Sequence, residues 1–127
     1  MTLIRHKDRP VKNGYYSKVT DSRKIVTPEV GATAFSLYEQ TLPPGGYIVL
    51  HYHDYEESLT FLTGRVQVTV NGEVTEVEAG TTLFIPPGVQ HSVHNEGDEP
   101  ARLIAVHASR TPKVLYPNGL PEPVDWS

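Results

Sequence analysis

The chain has 127 residues and no cysteine, enough for one domain with its own core but without disulfides, thiolate metal sites or a cysteine nucleophile. A formal net charge of -4 argues against nucleic acid as the main partner, and no apolar run nears the roughly 18 residues of a membrane span. Hydrophobic residues make up 38% and mean hydropathy is -0.34, the balance of a soluble folded domain.

The first ten residues, MTLIRHKDRP, are charged and lack an apolar core, so a secretory signal is not expected and a cytoplasmic location is. Residues 1–30 show no clear periodicity and are expected to form an arm with a short edge strand. Seven basic side chains, from Arg5 to Lys24, make this arm cationic. Such an arm is usually solvated or packed on an acidic neighbour. From there on, short β-branched and apolar runs alternate with turn signals. Strands are predicted over residues 33–42, 47–53, 58–63, 65–70, 73–78, 82–85, 91–95 and 102–107. Eight short strands at this spacing predict an all-β sandwich or barrel, with the barrel over residues 31–110.

The turns have local causes. Asn71-Gly72 separates RVQVTV from EVTEVE, and both residues tolerate positive φ, so a type I′ hairpin is predicted. Pro43-Pro44-Gly45-Gly46 and Pro86-Pro87-Gly88 end other strands. Residues 111–127, rich in proline, are expected to form an extended tail. The single tryptophan, Trp126, is expected to anchor against the barrel or a neighbouring subunit.

The chemistry concentrates in HYHDYEE, residues 51–57. His51 and His53 are two apart, so on a strand they share one face. Asp54 and Tyr55 read as a turn. Strand parity beyond it returns Glu57 to the histidine face, while Asp54 and Glu56 are left in solvent. His91 follows a Pro-Pro-Gly turn and is placed to meet this cluster across a barrel; His94 has the opposite parity and points outward. Three neutral imidazoles and one carboxylate suit divalent Fe, Mn, Ni, Co, Zn or Cu. Four such ligands leave two octahedral positions open, a catalytic layout. Tyr38, Tyr47 and Tyr52 lie on nearby strands. Tyr47 shares the ligand parity and is the candidate pocket hydroxyl; Glu57 and a tyrosine are the candidate bases. His107 ends the run ARLIAVH and is a candidate for the barrel mouth.

These residues resemble the two signature motifs of the cupin superfamily of small metal-binding barrels. GGYIVLHYHDYEESLTFLTG carries Gly45, His51, His53, Glu57 and Gly64 in register, and GTTLFIPPGVQHSVHN carries Gly80, Pro86, Gly88, His91 and Asn95. The resemblance implies a double-stranded β-helix, or jelly-roll barrel, with His51, His53, Glu57 and His91 as metal ligands. It also implies turn glycines at Gly45, Gly64, Gly80 and Gly88, a Pro86 turn that aims His91, and a structural Asn95. It implies a small-molecule substrate and a homodimer, the N-terminal arm being suited to add a strand to a partner's sheet. A dioxygenase is the leading expectation for the reaction. A non-redox isomerase, lyase or decarboxylase, and a sugar- or effector-binding barrel without catalysis, are the alternatives.

Overall fold

A computed structural model describes residues 1–12 and 16–123; Trp126 and its expected anchoring lie outside the described residues. Among these residues nine strands form two antiparallel sheets that face each other as a double-stranded β-helix. The strands are β1 (Asp21–Val26), β2 (Ser36–Leu42), β3 (Tyr47–His51), β4 (Glu57–Thr63), β5 (Arg65–Val70), β6 (Glu73–Glu78), β7 (Thr81–Ile85), β8 (His91–His94) and β9 (Ala101–His107). One sheet has the order β1-β2-β9-β4-β7 and the other β3-β8-β5-β6. The eight strands predicted from the sequence are all present, two of them (β5 and β6) with the same bounds.

Alternation explains which faces are buried. Val66 and Val68 of β5 face inward and are nearly inaccessible, while Arg65 is exposed. The hairpin between β5 and β6 turns on Asn71 and Gly72 with φ of 50° and 81°, the left-handed pair that a type I′ turn requires. At the β4–β5 corner Gly64 has φ +85°, and a Cβ there would lie 2.8 Å from the Cα of Ala101. All four motif glycines have positive φ.

The core sits at one end of the barrel and the polar cluster at the other. Along β4 the inward side chains run Phe61, Leu59, Glu57; along β9 they run Leu103, Ala105, His107, and the two series pair one to one. Phe61, Leu103, Val66, Val77 and Leu42 thus plug the far end, burying apolar area at about 25 cal/mol per Å². Glu57 and His107 face each other at the open end.

The ends of the chain behave differently from the middle. β1 adds to the chain's own β2, from Asp21↔Thr41 to Val26↔Leu37. The arm thus contributes the predicted edge strand to the chain's own sheet. Its own edge is partly covered by residues 10–12, since Lys12 N donates to Ser22 O and Lys24 N to Pro10 O. The C-terminal tail leaves β9 and comes back over the open end, where Leu115 bridges to Tyr52.

A candidate metal centre at the open end of the barrel

His51 closes β3, His91 opens β8, and the two strands pair so that His51 lies directly opposite His91. His91 is delivered by the Pro86-Pro87-Gly88 turn, which is itself tied down: Gly88 N donates to the carbonyl of His53 at 2.7 Å. Glu57 is the first residue of β4. His51, His53, Glu57 and His91 are all buried, and their candidate ligand atoms lie within 4.8 Å of one another. These four residues could hold a metal ion.

The hydrogen bonds set the imidazole tautomers. His51 Nδ1–H donates to the carbonyl of Val49 at 2.7 Å, His53 Nδ1–H to that of Lys113 at 2.7 Å, and His91 Nδ1–H to that of Val89 at 2.9 Å. A carbonyl only accepts, so each Nδ1 carries the proton and each neutral Nε2 is left with a lone pair. The Nε2 atoms of His53 and His91 and Oε1 of Glu57 are buried without a hydrogen-bond partner. Oε1 of Glu57 is 2.9 Å from Nε2 of His91 and 3.5 Å from Nε2 of His53. Lone pairs and a carboxylate oxygen this close repel unless a cation lies among them. Two donors bound at about 2.1 Å to one ion, at right angles, stand about 3 Å apart, so the spacing fits a transition metal.

Charge states agree with a cation site. Burial alone would raise the Glu57 carboxyl, but positive charge at His53 and His91, with protons on the facing Nε2 atoms, holds it well below the usual carboxylate range, and a bound metal would take the place of those protons. Burial, together with the like charge His91 would carry, pushes His51 down to about 3, so it stays neutral. His53 is raised: burial opposes its protonation, and the Glu57 carboxylate overrides that. Glu57 therefore attracts a positive charge, and a metal would compete with a proton for it.

Tyr47 is not part of this centre. β3 contains a bulge between Ile48 and His51, so one extra residue interrupts the alternation. Ile48 pairs with Val93 and faces the cavity, while Tyr47 pairs with His94 and its ring lies against that residue, 6.3 Å away. Parity counted straight through the bulge puts Tyr47 on the wrong face. His94 is exposed and meets Glu96, pointing outward as expected.

His107 sits deeper than a mouth residue. Its Nε2 is 3.2 Å from Oε2 of Glu57, and burial pushes it down to about 4. Its Nδ1 is buried without a partner. Tyr38 packs edge-on against it. Two further groups were not legible in the sequence. Tyr55, read from the sequence as a turn residue, stacks its ring on His53 at 4.9 Å with its hydroxyl 3.0 Å from Nδ1. The Lys113 carbonyl is backbone, so no side-chain pattern announces it.

Above the cluster lies a cavity of about 530 Å³. Its walls are largely aromatic and aliphatic, with Tyr16, Val19, Tyr38, Ile48, Leu59 and Tyr116 among them. Apolar walls with convergent polar groups at the base are the usual form of a small-molecule site.

The architecture and the site define a two-sheet barrel with a candidate metal centre at its open end. Residues 38–107 match the family model described as Cupin domain, and the chain belongs to that family. It is similar to the tetracenomycin polyketide synthase protein TcmJ of Streptomyces glaucescens, 36% identical over 65% of this chain and 57% of that protein. It is also similar to the polyketide synthase CurC of Streptomyces cyaneus, 36% identical over 73% of this chain and 62% of the relative. The chain thus spans about three fifths of the length of these curated relatives. In fold it resembles the polyketide cyclase RemF of Streptomyces resistomycificus, with a TM-score of 0.80 at 23% identity over 92% of this chain and 85% of that one. A predicted oxalate decarboxylase of Thermotoga maritima gives 0.75 at 23% identity over 85% and 99%. Among the described residues no helix is long and apolar enough to cross a membrane.

Proposed function

We propose that this chain is a metal-dependent cupin enzyme that closes or isomerises an oxygen-rich, ring-forming substrate of the polycarbonyl or polyphenol class. His51, His53, Glu57 and His91 are its metal ligands. The observation that carries this reading is the set of buried, partnerless Nε2 and Oε1 atoms facing one another, their tautomers set by backbone carbonyls. A divalent Fe, Mn, Ni, Co, Zn or Cu ion held there supplies Lewis acidity toward a substrate carbonyl or enol, and a redox-active one supplies O₂ chemistry as well.

The chain's own part is to orient and to shed water. Tyr38, Leu59 and Ile48 offer a flat substrate an apolar bed. Oε2 of Glu57 and Nε2 of His107, 3.2 Å apart, are placed to hold or pass a proton beside the site. Tyr47 faces away and has no part in this. TcmJ and CurC are named as polyketide synthase proteins, which supports a polycarbonyl substrate class. Dioxygenation is the second reading, favoured by the three-imidazole, one-carboxylate donor set.

The test loads purified protein with Zn(II) or Fe(II) and supplies a polycarbonyl precursor or polyphenol with and without O₂. Turnover with Zn(II) under nitrogen is the expected result; lyase, isomerase and decarboxylase chemistry would share that arm. Turnover only with Fe(II) and O₂ uptake would replace it with dioxygenation. A ligand-dependent rise in melting temperature without turnover would leave a binding protein.

A homodimer belongs to the same proposal. On the solvent face of the larger sheet, Leu37, Val106, Ser58 and Phe84 lie in one row across four strands, and Phe84 is 58% exposed. Such a row, apolar but for Ser58, favours pairing with a second copy. Sedimentation is expected to give a dimer that Phe84→Glu weakens; a monomeric wild-type chain would remove this part.

A further inference from the structure

We propose that Tyr55 and the backbone of Lys113 form a positioning element for His53, so that docking of the C-terminal strap and metal binding reinforce each other. The inference rests on the reading of His53 as a ligand. The three imidazoles are not held alike. His51 and His91 each donate Nδ1–H to the carbonyl two residues earlier, a contact that comes with the local strand. His53 instead donates to the Lys113 carbonyl, 60 residues away on the tail. Close to His53 along the chain only the Tyr55 hydroxyl reaches Nδ1, and a hydroxyl can donate or accept, so by itself it does not set the tautomer.

The Lys113 carbonyl is aimed by a small network. Lys113 N–H donates to the Tyr55 hydroxyl at 3.2 Å. The same hydroxyl is 3.0 Å from Nδ1 of His53, whose proton already goes to Lys113 O at 2.7 Å. The hydroxyl oxygen thus accepts from Lys113 and shares the imidazole proton. Two residues on, Leu115 N donates to Tyr52 O at 3.0 Å and Tyr52 N to Leu115 O at 2.9 Å. The strap therefore pairs with the chain on both sides of His53. Tyr116 meets Tyr16 edge-on, 5.5 Å between centroids, which ties the strap to the N-terminal arm.

Consequences run in both directions. With the strap docked, Nδ1 of His53 is protonated and Nε2 presents its lone pair to the site. With the strap away, the imidazole is free to rotate or to move its proton to Nε2, and it ceases to be a pre-set donor. By linkage, whatever the docked strap adds to metal affinity, bound metal adds to strap docking. The strap also carries Pro112, Val114 and Tyr116 into the cavity wall, so a metal-loaded site is one whose mouth is narrowed.

The experiment measures Zn(II) affinity by chelator competition and amide exchange at Lys113 and Leu115, with and without Zn(II), on the full chain. Leu115→Pro removes a strap hydrogen bond in an extended segment, and Tyr55→Phe removes the hydroxyl while keeping the stacked ring. Leu115→Pro is expected to weaken Zn(II) binding about 10- to 100-fold and Tyr55→Phe several-fold. In the wild type, Zn(II) should slow exchange at both strap amides, and His53→Ala should abolish that slowing. A wild type that binds Zn(II) while strap exchange ignores it, or variants that bind Zn(II) as tightly as wild type, would overturn the coupling and leave the metal centre standing. A wild type that binds no transition metal would take both readings down.

Discussion

Glu57→Gln is expected to weaken transition-metal binding at least about 100-fold while leaving the metal-free protein as stable or more stable. The two effects have opposite signs for one reason. Glu57 is the only negative donor among the four, and its Oε1 lies 2.9 Å and 3.5 Å from two imidazole nitrogens that carry lone pairs. A cation among these atoms turns repulsion into attraction, and loss of the carboxylate charge removes most of that attraction. Without metal, and at a pH where its histidine neighbours are neutral, the same carboxylate is a buried charge with Oε1 unpartnered, which costs free energy. The Gln amide is nearly isosteric and its NH₂ can donate to a bare Nε2. Chelator competition for Zn(II), and melting with and without chelator, read out the two halves. A residue that merely held the fold would lower metal-free stability; unchanged Zn(II) affinity would sink the ligand assignment.

Asn95→Ala is expected to cost about 3 kcal/mol of folding stability without removing the metal site. The side chain is fully buried. Its amide nitrogen donates to the carbonyls of Leu42, Pro43 and Glu99 at 3.1, 3.2 and 2.8 Å, and its oxygen accepts from Gly97 N at 3.0 Å. Its backbone adds pairs with Gly45 and Gly46. One residue thus joins the turn before β3 to the loop after β8, the two strands that carry His51 and His91. Truncation removes one buried and three partly buried hydrogen bonds at once, and a buried group left unsatisfied costs about 1 to 3 kcal/mol. A typical domain has only about 5 to 15 kcal/mol to lose. A urea midpoint shift with unchanged slope is the signature; a loss under about 1 kcal/mol would refute the bracing role.

Both variants touch positions that were readable before any fold was known. Glu57 stands at a spacing from the histidines that strand geometry interprets, whereas Asn95 was readable only through the motif that resembles the cupins. The pleat puts His51 and His53 on one side, and the turn after them returns Glu57 to that side. The Asn71-Gly72 turn was readable because only a few residues tolerate its dihedrals. Tyr47 shows where this stops. Its parity was counted along an unbroken strand, and a bulge contributes one residue that no local preference in YIVLH announces.

What the sequence determined by itself is therefore what short-range geometry controls: strands, tight turns, and the shared face of the residues in HYHDYEE. The tertiary structure alone decided which distant groups complete the site. His107 reaches Glu57 because β9 pairs with β4 in the register Glu57↔His107. The Lys113 carbonyl reaches His53 because the tail returns over the open end and pairs with Tyr52. Those contacts depend on register between segments about 50 to 60 residues apart, set by burial of the whole apolar face and not by any neighbour in the chain.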